Sequence, residues 1–299
     1  MKKGIFKGSI VTAVVAGSML VVACGGEDTK KSDANTVQQN DNDTSNNEQV
    51  SGFELPGIPT PNDLFDLVKA VGVQMKPGIT NDVAKVSEYV DSKSKALNFG
   101  VYSADLGYIA CFEAGPDFLG YFKVIQKLGD DLGISAAFDQ TLIDRIENND
   151  GNLDSLFSIS ESTYFESYAF LEENGKGKEL ALIIAGGWVE SMHIIFELSG
   201  DYKDGAVLNE SIAGQQVVLE SILEFMARYQ DDDMMEIMDK FSNVLMTYTE
   251  NMTYVETETE VKKEGDKVIL GGGSEFAMNE MAYNEIRKQI QELRTYITK

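Results

Sequence analysis

From Thr60 onward, apolar side chains return every three or four positions, the spacing that lines them along one side of an α-helix. Leu64, Leu67, Val68, Val71 and Met75 make the first such stripe. Thr60, Pro61 and Asp63 precede it as cap hydroxyl, first-turn proline and early acid, and Pro77 with Gly78 ends it. The period predicts a second helix opening at Thr80, carried by Val83, Val86, Val90 and Leu97. Tyr102, Leu106, Ile109 and Phe112 continue it until Gly115 and Pro116. Phe118, Phe122, Ile125, Leu128 and Leu132 mark the next helix, closed by Gly133, and Phe138, Leu142 and Ile146 a shorter one. Leu153, Leu156, Phe157, Tyr164, Tyr168 and Leu171 form another face, which Asn174 and Gly175 stop.

Leu180 to Leu198 is the most apolar run of the body, with Trp188 near its middle. Glu190 and His193 inside it make it a central buried helix sooner than a membrane span. Leu208, Ile212, Leu219, Ile222, Met226 and Tyr229 carry a further helix, and Asp231, Asp232 and Asp233 stand where the following one should begin, as the helix dipole favours. That one holds Ile237, Phe241, Val244, Leu245 and Tyr248, with Met234, Met235, Met238 and Met246 around them as core filler or an adaptable binding face. Thr253 to Val261 switches to the alternating period of a strand, residues 263–266 can turn it, and Val268, Ile269 and Leu270 can return. After Gly271, Gly272 and Gly273, Ser274 is the expected cap of a last helix whose face is Met278, Ala282, Ile286, Ile290, Leu293 and Ile297.

The fold class is therefore mainly α: antiparallel helical hairpins with short links, and a small β-hairpin near the C-terminus. Residues 108 to 134 set against 168 to 194 at a shift of 60 align Tyr108 with Tyr168, Gly115 with Gly175 and Leu128 with Trp188. This leaves a solenoid-like repeat of stacked hairpins open, though not one with the tetratricopeptide period or signature.

The chain before residue 53 is of another kind. Lys2, Lys3 and Lys7 give a positive start, Ile10 to Val22 a short apolar run, and Val21, Val22, Ala23 and Cys24 its end. That run is too short for the roughly 20 residues a spanning helix needs. The tetrapeptide resembles the lipobox of bacterial lipoproteins. The resemblance implies that residues 1–23 are a signal peptide recognised at Val21, Val22 and Ala23, that signal peptidase II cuts before Cys24, and that the Cys24 sulfur carries diacylglyceryl. Two or more acyl chains anchor stably, at about 0.8 kcal/mol per buried methylene.

Residues 24–52 are almost all Asn, Asp, Gln, Ser, Thr, Lys, Glu and Gly, with Val37 and Val50 the large aliphatics. Such a segment cannot build a core, so a tether is expected, with a reach of roughly 25 to 30 Å. Residues 53–299 are the helical domain. Glu27 and Asp28 resemble the acidic export signal of Bacteroidota surface lipoproteins, and Gly25 is not the aspartate of an inner-membrane retention signal. The expected place is the bacterial envelope at the outer membrane, periplasmic or surface-exposed.

Composition narrows the partners. With 25 basic against 49 acidic residues, the net charge is −24. That disfavours nucleic-acid backbones and electrostatic docking on anionic lipid, and leaves the covalent lipid as the membrane contact. With Cys24 assigned to lipid, Cys111 has no second cysteine for a disulfide and sits among Leu106, Ile109 and Phe112 as a small buried hydrophobe.

For chemistry, Glu190, His193 and Glu197 share a helix side, a weak candidate for Zn or Fe since Glu-x-x-His is half of a di-iron motif whose second half the chain lacks. A histidine bonded to a neighbouring glutamate is the plainer reading. Residues 148–154 fail the calcium-loop pattern and read as a turn and cap. There is no nucleophile elbow, phosphate loop or dinucleotide fingerprint. The sequence thus assigns no catalytic residue and no cofactor. It favours a lipid-anchored binding or structural domain for an unidentified protein or small molecule. The alternative is a hydrolase-like envelope enzyme using carboxylates or a Glu/His metal site.

Overall fold

The computed structural model describes residues 61–112, 115–135, 144, 153–204, 206–264 and 267–299. The lipobox, the tether, the lead-in at 53–59, the helix expected around Phe138 to Ile146 apart from Asp144, and the turn at 148–152 lie outside them. Among the described residues 78% are helical, in eight α-helices, and one two-stranded antiparallel sheet lies near the C-terminus, so the class is mainly α.

The helices are α1 (Pro61–Ala70), α2 (Ser92–Cys111), α3 (Gly115–Leu132), α4 (Leu153–Glu173), α5 (Gly177–Ser199), α6 (Val207–Met226), α7 (Asp232–Asn251) and α8 (Glu280–Ile297). Their ends follow side-chain chemistry. Asp91, Asp231 and Asn279 cap α2, α7 and α8 by accepting backbone N–H bonds from Ser94, Met234 and Ala282 at 2.8–2.9 Å. Gly133 and Gly175 take the left-handed backbone (φ 69° and 68°) that lets Ile134 and Lys176 fold back onto the carbonyls of Gly129 and Leu171.

Two helices form the axis. In α2, 15 of 20 residues are buried, and in α5, 17 of 23, so both are wrapped on every side. α5 is long and apolar enough to cross a membrane, with mean hydropathy 1.4, yet 89% of that window is buried inside the fold. Its apolarity is spent on protein contacts, as a central helix requires. The densest helix packing joins α2 to α5. α1, α3 and α4 cover α2, α6 and α8 cover α5, and α7 closes over α6 and α8. Glycines allow the central approach: a Cβ on Gly100 would lie 1.9 Å from the Ile183 carbonyl oxygen, and one on Gly186 would lie 1.9 Å from that of Leu97. A row of hairpins in sequence order would pack chiefly between neighbours; here the two hairpins at the shift of 60 share the α2–α5 axis instead.

Two stretches differ from the periodic reading. The helix predicted from Thr80 is an irregular strap over residues 71–91, with one 3-10 turn at Val83–Ser87 capped by Asp82. Val83 and Val86 still pack inward, but Val90 is 77% exposed and Asp91 starts α2. Likewise Gly271 to Ser274 do not break the return strand. β1 (Met252–Glu264) and β2 (Lys267–Met278) pair from Met252↔Met278 to Glu264↔Lys267, with Gly273 opposite Thr257, Gly271 opposite Glu260 and an irregularity between those two pairs. Asn279, not Ser274, caps α8. The Met278 side chain is buried as foreseen, but from the end of β2.

Candidate functional site

The strap is held down by polar groups from the helices beneath it. Tyr121 of α3 places its hydroxyl 2.6 Å from Thr80 Oγ1 and 2.9 Å from the Asn81 carbonyl oxygen, so its single proton serves the carbonyl while Thr80 donates to it. Tyr102 of α2 donates to the Asp82 carbonyl at 2.7 Å. Asp105, also of α2, accepts the Asn81 backbone N–H through Oδ2 at 3.0 Å. From α5, His193 donates from Nε2 to the Ile79 carbonyl at 3.1 Å, and Arg294 of α8 reaches the same oxygen from Nη2 at 3.3 Å. Farther along the strap, Tyr108 Oη accepts the Lys76 N–H at 2.8 Å, and the Lys76 ammonium pairs with Glu197.

Under the strap lies a buried ionic cluster. Glu190 is completely buried and grips Arg294 with both oxygens, Oε2 to Nε at 2.7 Å and Oε1 to Nη2 at 2.8 Å. Burial works against the Arg294 cation, but this fork outweighs it and holds the guanidinium above its usual range. Asp105 is also completely buried, and its Oδ1 meets no donor. Burial, and next the charge of Glu190, push the Asp105 carboxyl well above the usual carboxylate range. Burial pushes the His193 imidazole down, so it stays neutral at neutral pH, and its N–H goes to Ile79. Burial raises the Tyr121 hydroxyl to about 12.

The structure thus separates the three metal candidates. Glu190 is committed to Arg294, His193 to Ile79, and Glu197 to Lys76 and to Arg287, the latter at 3.5 Å. Among the described residues no three His, Cys, Asp or Glu side chains gather where they could share a metal ion. Cys111 is buried in the core, its thiol 3.3 Å from the Phe65 carbonyl oxygen.

Among the described residues, two clefts bear on these elements. One of about 420 Å³ runs between α7 and α8, with Val244, Leu293, Tyr296 and Met246 as its apolar part and Glu250, Glu285, Glu292 and Lys240 as its charged part. Lys240 sits 4.5 Å over the Tyr296 ring. The other, of about 290 Å³, lies between the strap at Lys76–Val83, Tyr108 and Ile109 of α2, and Asp117 and Tyr121 of α3. Neither is lined by Glu190 or His193. The methionines around α7 divide: Met234 is fully buried and Met238 packs on the core, whereas Met235 and Met246 are about half exposed.

No protein-family model, curated protein or solved structure matches this chain.

Periodicity alone passed over Asp105, Arg294 and Tyr121. A signal existed for Asp105, a single acid within the otherwise apolar and small-residue stretch from Val101 to Cys111. Nothing local ties Arg294, in the last turn of α8, to Glu190, 104 residues earlier.

Proposed function

We propose that this chain is a bacterial envelope lipoprotein, fixed through acylated Cys24, that holds a helical domain on a tether at the outer membrane for a binding or structural role. The observation that carries the reading is the order Lys2, Lys3 and Lys7, then Ile10 to Val22, then Val21-Val22-Ala23-Cys24. The burial of α5 supports it, because the most apolar described helix is occupied by protein contacts and the acyl group supplies the membrane contact.

For the role of the domain, the ionic cluster counts toward support of the fold: its carboxylates and imidazole face the strap and Arg294 rather than a cleft. The face offered to a partner, protein or small molecule, is the α7–α8 groove, where apolar Val244, Leu293 and Tyr296 meet a charged rim. A concave pocket gathering Glu190, His193 and further acids would favour the hydrolase or metal reading, and neither of the two clefts described above is lined by those two residues.

The test is Cys24→Ser in the native host. The variant should leave the membrane fraction and appear as soluble protein; a variant that stays with the membrane refutes the anchor.

A further inference from the structure

We propose that Asp105 and Glu190 share one proton, carried by Asp105, and that this proton is a latch holding residues 79–82, and with them one wall of the 290 Å³ cleft, against the helices.

Geometry and charge lead there together. Asp105 and Glu190 are both completely sealed from solvent and converge on the same short stretch of the strap, Asp105 directly at the Asn81 N–H and Glu190 through Arg294, whose Nη2 also donates to the Ile79 carbonyl. One guanidinium, Arg294, faces them, and both of its bonds to a carboxylate go to Glu190. A second anion beside it would be buried without a counter-charge, which is far costlier than keeping a proton. Asp105 is the acid that keeps it. Its Oδ2 accepts the Asn81 N–H, while Oδ1 meets no donor, which suits an oxygen that donates. The hydrogen bond runs from Asp105 Oδ1–H to the Glu190 carboxylate.

Among the described residues, few titratable groups are turned toward this junction. α5 brings Glu190 and His193, α8 brings Arg294, α3 brings Tyr121 with Asp117 beyond it, α2 itself adds Tyr102, and the strap adds Tyr89. The tyrosines at 89, 102 and 121 are all raised by burial and stay neutral. The one other way to balance the cluster is a proton on His193, which both its burial and the nearby Arg294 cation oppose.

The latch has a mechanical reading because the same stretch serves both purposes. Ile79 and Asn81 are bound to Arg294, His193 and Asp105, and their neighbours Thr80 and Asp82 line the cleft. Loss of the proton to solvent leaves two buried carboxylates whose repulsion, opposed by the bond that the Asp105 anion keeps with the Asn81 N–H, pushes Asp105 and the strap away from Glu190 and frees that wall to move.

The sign follows from linkage. Because the Asp105 carboxyl is raised in the fold, the folded chain binds a proton that the unfolded chain has already released. The latch contributes fully below the ordinary carboxylate value of 3.8 and loses its contribution as pH rises through the folded value. Asp105→Asn cannot titrate, yet its amide can donate to Glu190 and its carbonyl can accept from Asn81. In denaturant unfolding of the full chain in detergent, the unfolding constant of wild type relative to Asp105→Asn should climb by up to about tenfold per pH unit across that window and then level off. Over the same range, amide exchange of residues 79–83, corrected for its intrinsic pH dependence, should accelerate in wild type and not in the variant. A ratio independent of pH, with Asp105→Asn simply less stable, overturns the proposal. If the variant does not fold, infrared spectra of wild type with carbon-13-labelled aspartate decide it. In an infrared pH titration, a protonated-carboxyl band that moves with the label should persist after the ordinary aspartates have ionised, and a band lost together with theirs means that the Asp105 carboxyl is not held protonated by the fold and the proposal is wrong.

Discussion

Replacing Gly186 by alanine tests the α2–α5 axis at its closest point. The added Cβ would stand 1.9 Å from the Leu97 carbonyl oxygen, 2.8 Å from its carbon and 3.1 Å from its Cα, against an ordinary contact of 3.4–4 Å. The obstacle is helix backbone, so no side chain can swing away. The two helices must separate by about 1.5 Å, more than the 0.5–1 Å gap that already forfeits a quarter to a half of each contact. Overpacking of this kind costs about 1–3 kcal/mol and sometimes more, while alanine returns at most ~1 kcal/mol of helix propensity. With both central helices losing contact together, the cost falls at the upper end of that range and a net loss of about 2 kcal/mol is expected, which for a domain of this size lowers Tm by about 4–8 °C. Gly100→Ala should behave alike, its Cβ being 1.9 Å from the Ile183 oxygen and 2.6 Å from the Gly187 nitrogen. The control is Gly120→Ala on α3, where nothing lies within 4 Å and the gain should be about 0.5–1 kcal/mol. Urea unfolding followed by circular dichroism reads all three. If Gly186→Ala is as stable as Gly120→Ala, the helices are not in backbone contact and the axis is misassigned.

Three further outcomes follow from the polar contacts. Arg294→Ala leaves the fully buried Glu190 without its counter-charge and should cost about 3–5 kcal/mol in urea unfolding, part of it recovered by pairing Arg294→Met with Glu190→Gln. Glu197 is held below its ordinary value of 4.5 chiefly by its bond with Lys76, against an opposing effect of burial. Its contribution is therefore present above that value and lost as pH falls through the lowered one, and Glu197→Gln should flatten the acid limb of a Tm-against-pH profile. Asp231→Ala removes the cap bond to the Met234 N–H and should lower stability by about 1 kcal/mol, whereas Asp231→Asn should retain most of it.

The elements that could be read in the sequence are those whose information is local. The stripe Ala282, Ile286, Ile290, Leu293 and Ile297 is the buried face of α8, the run from Leu180 is the buried helix α5, and Asp231 is the cap of α7. The strap escaped because Val83 and Val86 fit a helical period, while the groups that pin it come from 24, 114 and 215 residues away, at Asp105, His193 and Arg294. The glycines at 271–273 read as punctuation, since a lone strand gives glycine no reason to stay. Cross-strand pairing with Thr257 and Glu260 supplies that reason. At the site, Glu190 and His193 stood out as polar positions in an apolar helix, and their spacing suggested they act together. The fold instead gives each its own partner, because the two side chains meet different segments above α5.

The anchor at Cys24 is the claim on which the proposed role stands, and intact mass spectrometry of the protein purified from its native envelope addresses it directly. The account predicts a chain that begins at Cys24 and carries acyl mass on that residue. A chain that begins at Met1 with Cys24 unmodified contradicts it.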